Sequence, residues 1–113
     1  MKTEEKEAFI LKKATENSSD PAKAKVLWSS HAIGKLQSEN LQRKKVELAL
    51  VNCEVIEDYP WLTRKLPDCL VIAFTPNNDP FHVVVALDRS QDRIVTVYRP
   101  DQTRWENDWK TRK

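Results

Sequence analysis

The chain has 113 residues, 40% of them apolar and 32% charged, with a net charge of +2. This allows one modest core, and it is too little positive charge to mark nucleic-acid binding unless the cations cluster. A single glycine excludes a glycine-rich phosphate loop, and the isolated Cys53 and Cys69 have no zinc-ligand spacing. Both cysteines read as small buried residues with reduced thiols. The charged start MKTEEKEAF has no secretory or membrane-spanning character. The expected location is the cytoplasm, without membrane association.

In chain order, residues 3–16 read as a helix. Thr3 is placed to cap it, Glu4 and Glu5 lie in its first turn, and Lys12 and Lys13 lie in its last. Residues 17–21 break it, so 1–24 is expected as a helical extension to a single domain at 25–113. Residues 25–28 predict a short edge strand. A helix follows from His31 to Gln37, capped by Ser29 or Ser30 and stopped at Asn40. A second helix spans about 42–51, with Val46, Ala49, Leu50 and Cys53 on one face. Residues 54–59 alternate weakly as a strand, and 60–68 form a proline-bounded loop carrying Arg64 and Lys65.

Three β-branched runs at 69–75, 81–88 and 92–98 are joined by short turns rich in Pro, Asn and Asp. They predict consecutive antiparallel strands. Residues 104–110 predict a helical turn that puts Trp105 and Trp109, four apart, on one side. The expected fold is α+β: N-terminal helices packed on a three- to four-stranded antiparallel sheet, closed by a short C-terminal helix. Val46, Ala49, Leu50, Leu70, Ile72, Val83, Val85 and Val97 are expected to form the core.

The chemistry-bearing residues are few. His82 stands alone among apolar neighbours. It is either a core histidine satisfied by a partner or a proton-transfer group on the open sheet face. His82 begins one strand and Tyr98 ends the next, which places them near the same end of the sheet. His31 sits at a helix start, where its neutral form is favoured. The cations are Arg64 and Lys65 in the loop, then Arg99, Arg104, Lys110, Arg112 and Lys113 in the tail. A solvated surface and an RNA-binding surface both fit that tail. No metal-ligand set and no Ser or Cys nucleophile motif is present. An enzyme built from this inventory would use neither metal nor organic cofactor. Transesterification of RNA suits it: a base takes the 2′-OH proton while cations stabilise the phosphorane.

Several landmarks carry a family resemblance. They are Ser30-His31-Ala32, the strand end Glu54 to Pro60, Pro80-Phe81-His82, Thr96-Val97-Tyr98-Arg99-Pro100, and Trp105 to Arg112. In these the chain resembles a family of small bacterial domains of unknown function, often encoded beside YgiT-type zinc-finger antitoxins and linked to MqsR-like and RelE/ParE-like ribonuclease toxins. The resemblance implies a toxin-like endoribonuclease whose partners are RNA, free or ribosome-bound, and a cognate antitoxin of the zinc-finger class. The alternative is a non-catalytic protein-binding or regulatory module of the same fold, or an inactive toxin relative. On the matched positions, His82, His31 and Tyr98 are the catalytic candidates, and Arg64, Lys65, Arg99 and Arg112 the substrate-binding ones. Where relatives carry Arg in the first helix of the match and again near its end, this chain has Lys35 and Glu39.

Overall fold

The computed structural model describes residues 2–59, 68–88 and 91–113. Its elements follow in the order α1 (Thr3–Ser19), β1 (Val26–Trp28), α2 (Ser30–Ser38), α3 (Arg43–Ala49), β2 (Glu54–Asp58), β3 (Cys69–Phe74), β4 (Pro80–Asp88) and β5 (Gln91–Tyr98). The fold is α+β. The five strands make one mixed sheet in the order β1-β5-β4-β3-β2.

The three predicted runs are antiparallel neighbours, as their connecting turns require. β3 pairs with β4, and β4 with β5. The sheet is larger than expected and not purely antiparallel. β2 adds a strand at one edge, and β1 lies parallel to β5 at the other, with Leu27 opposite Arg93. A parallel neighbour needs a long connection, here the whole of 29–90.

Side-chain alternation divides the sheet into two faces. Val71, Ala73, Phe81, Val83, Val85, Ile94 and Val97 point towards the helices, and all are buried. They meet Ile10 and Ala14 of α1, Ala32 and Leu36 of α2, Val46 of α3, and Leu50 in a 3₁₀ turn after it. Of the expected core residues, only Ala49 is half-buried. Both thiols are buried, and that burial pushes Cys69 up to about 12 and Cys53 higher still, so neither is a nucleophile at neutral pH.

The first 24 residues contribute α1, which packs on this core. Thr3 does not cap it: the N-cap is Lys2, whose backbone N–H donates to Glu5, while the Thr3 hydroxyl donates to Asp58. The ammonium of Lys6, only 4% exposed, donates to the Asp58 carboxylate and to the carbonyls of Tyr59 and Asp68. Three acceptors satisfy its three donors and tie α1 to the ends of β2 and β3.

The expected C-terminal helix is absent. The Asp101 carboxylate accepts from the N–H groups of Thr103 and Arg104, and Asp108 accepts from those of Lys110 and Thr111. These local Asx turns compete with helical hydrogen bonding. Trp109 takes a left-handed φ of 62°, and Trp105 pairs with Arg112 as an antiparallel bridge. The segment folds across the sheet face opposite the helices.

Candidate functional site

The site begins with a β-bulge. Val84 lies opposite Thr96 and Val85 opposite Ile94, so Val95 is an extra residue in β5. Its carbonyl accepts from the Ser29 hydroxyl at 2.9 Å, and that Ser29 oxygen caps α2 by accepting from Ala32 N–H at 3.0 Å. One serine thereby fixes the start of α2 against β5. The helix then runs along the part of the β5 edge that the three-residue β1 leaves unpaired. Its Ala32 and Leu36 side enters the core. Its other side carries His31, exposed, with Nε2 3.1 Å from the Thr96 hydroxyl. Lys35 follows one turn later on the same side.

Between α2, the end of β5 and the C-terminal segment lies an open groove of about 460 Å³. His31, Lys35, Tyr98, Arg99, Arg104 and Arg112 line it, with Glu39 and Asp101 as the acids. The cations differ in how far they are committed. Arg112 forms a fork with Glu57 through Nε and Nη2 and stacks 4.7 Å from the Trp105 ring. Arg99 donates through Nε to the Glu39 carbonyl and through Nη2 to that of Asn40, while its backbone N–H donates to the Glu39 carboxylate. Glu39 therefore holds Arg99 in place. Lys35 has a long contact of 3.8 Å to the same carboxylate. Arg104 has no side-chain hydrogen bond or ion pair among the described residues.

His82 lies beneath this groove. It is opposite Tyr98 in the sheet, fully buried, with the Trp105 ring edge-on at 4.4 Å. Both ring nitrogens are engaged. Nε2 is 2.7 Å from the Trp109 carbonyl, which can only accept, so Nε2 carries the proton. Nδ1 then accepts from the Tyr98 hydroxyl at 3.2 Å. Burial is the main cause that holds the His82 pKa below its ordinary value, against the opposing pull of the Trp109 carbonyl and Glu57. Burial likewise pushes the Tyr98 hydroxyl up, so it stays protonated and able to donate. The Arg112 fork, helped by a hydrogen bond from Tyr59 and opposed by burial, holds Glu57 below the usual carboxylate range.

The structure thus brings His31, Tyr98, Arg99 and Arg112 to one groove and places His82 under its floor. Arg64 and Lys65 lie outside the described residues. Lys35 and Arg104 complete the groove and were not among the residues singled out for the site. The i,i+4 spacing of Lys35 from His31 was the available signal. Arg104 was visible as one of the tail cations, but its place in the groove depends on the folding of the tail. No group of three or more His, Cys, Asp or Glu side chains is placed to hold a metal among the described residues, and no described helix is long and apolar enough to cross a membrane.

Family comparison matches residues 28–99 to the domain of unknown function DUF4258. The chain belongs to this DUF4258 family. The match takes in His31, Lys35, His82, Tyr98 and Arg99 and stops short of Arg104 and Arg112. Neither a curated protein nor a solved structure matches the chain.

Proposed function

We propose that this DUF4258 chain is a toxin-like, metal-independent endoribonuclease whose groove holds an RNA phosphodiester. The observation that carries the reading is the exposed imidazole of His31 opening onto a groove lined by Lys35, Arg104 and Arg112. A nitrogen of His31 takes the proton of a ribose 2′-OH. The 2′-oxygen bonds to phosphorus, the bond from phosphorus to the 5′-oxygen breaks, and that oxygen leaves with a proton from water. The products are a 2′,3′-cyclic phosphate and a 5′-hydroxyl. Arg104 and Arg112 stabilise the charge that builds on the phosphorane. His82 does not touch the substrate in this scheme. Through Tyr98 and Trp109 it sets the groove floor and the tail that carries Arg104 and Arg112.

On this reading the helix-covered sheet with a cationic open face follows the RelE- and MqsR-like plan, the RNA is cytoplasmic and free or ribosome-bound, and a zinc-finger antitoxin is the protein partner. A second reading is a non-catalytic protein-binding module or an inactive relative. It draws on the burial of His82 and on the engagement of Arg99 and Arg112 by Glu39 and Glu57. Controlled expression in growing bacteria separates the two. The endoribonuclease stops growth and fragments RNA, and His31→Ala relieves both effects. The binding module leaves RNA intact.

A further inference from the structure

A second cavity, of about 360 Å³, lies beside the groove at the end of the sheet. Arg99 lines both and forms the ridge between them. The two guanidinium hydrogen bonds to Glu39 and Asn40 fix that ridge and leave its remaining N–H donors for a ligand. The floor is apolar, made by Leu41 and Phe81, which are 8% and 1% exposed. The rim residues include Asn40, Gln42 and Asn77, which carry side-chain amides, with Lys45 and the acid Asp79.

The walls are already formed. The turn after β3 is closed by its own bonds, from Thr75 N–H to the Asp79 carbonyl, from Asn78 N–H to the Thr75 carbonyl, and from Asp79 N–H to the Thr75 hydroxyl. Across from it, Asn40 ends α2 with a left-handed φ of 54°. Leu41 N–H donates to the Leu36 carbonyl at 2.8 Å, which sets the floor under that rim.

Resting on the endoribonuclease reading, the geometry points to this cavity as a nucleobase subsite for the nucleotide adjoining the cleaved phosphate. Apolar floor and amide rim match the two needs of an unstacked base. Its faces want apolar contact, and its edges pair donors with acceptors, as each carboxamide does. Arg99 between the cavities sits where the linking phosphate of a strand spanning both would pass. Gln42 and Asn77 then determine which base precedes or follows the cut.

The test titrates AMP, GMP, CMP and UMP, with ribose 5-phosphate as the base-free control, into ¹⁵N-labelled protein. A second arm maps cleavage of a randomised RNA by wild type, Gln42→Ala and Asn77→Ala, with folding checked by circular dichroism. The expected result is that one nucleotide shifts the Asn40, Gln42 and Asn77 side-chain amides while ribose 5-phosphate does not. Each variant should also change the ratio between favoured and disfavoured flanking bases by about tenfold. Amide shifts without RNA cleavage would keep the subsite and remove the catalytic reading. Shifts confined to the His31 groove, or variants that slow all sites equally, would overturn the subsite. No shift anywhere would overturn both.

Discussion

The main-chain carbonyl of Trp109 accepts the Nε2 proton of His82 at 2.7 Å. A histidine in the middle of the sheet thereby anchors the tail that follows the last strand. The bond fixes the tautomer of the ring and, through Nδ1, the direction of the Tyr98 hydroxyl. It is also why Arg104 and Arg112 arrive over the groove.

His82→Ala should therefore destabilise the protein by about 2–4 kcal/mol, from a cavity plus unpaired Tyr98 and Trp109 groups. Urea unfolding measures this, and amide exchange should show residues 101–113 losing protection first. Because His82 titrates below 6.5 in the folded state, the unfolded chain binds its proton more readily. Its contribution is then complete above pH 6.5 and falls as the pH drops below that value. The acid-side loss should shrink in His82→Gln.

Asp92 should act in the opposite direction. It is fully buried on the helix-facing side of β5, neither carboxylate oxygen has a hydrogen-bond partner among the described residues, and burial pushes it up to about 8, opposed by Lys13. Between pH 3.8 and about 8 the folded protein holds a proton that the unfolded chain releases, so stability falls as pH rises. The advantage of Asp92→Asn over wild type should grow from pH 5 to pH 8, by up to about 1.4 kcal/mol per pH unit. A constant difference across that range would contradict the assignment.

How much of this was legible in the sequence depends on how local the determinants are. β3, β4 and β5 were readable because Pro76, Pro80 and the polar sequence from Asp88 to Asp92 bound β-branched runs that can bury only by pairing. That His82 and Tyr98 would be neighbours followed from strand ends and turn length; their face did not, since the Val95 bulge is not marked in the sequence. The parallel pairing of β1 was not readable from three residues whose partner lies more than sixty positions away. The Trp105 and Trp109 spacing suggested a helix, and Asp101 and Asp108 defeated it by bonding to the backbone just ahead of them. His31 was recognisable as a candidate, but its exposure depends on α2 riding the β5 edge.

Arg104, whose guanidinium has no partner among the described residues, should act as a phosphate contact. Arg104→Ala should weaken binding of a non-cleavable 2′-deoxy oligonucleotide evenly across sequences. The slope of log K against log salt should become shallower by about one unit. Fluorescence anisotropy at several salt concentrations measures it, and an unchanged slope would remove Arg104 from the groove's function.

The central claim is that His31 is the base of a metal-independent cleavage, and purified protein with single-stranded RNA in excess chelator tests it most directly. The account predicts cleavage by wild type that leaves 2′,3′-cyclic phosphate ends, with a rate at least about 100-fold lower in folded His31→Ala. Equal rates for the two proteins, or intact RNA with wild type, would contradict it.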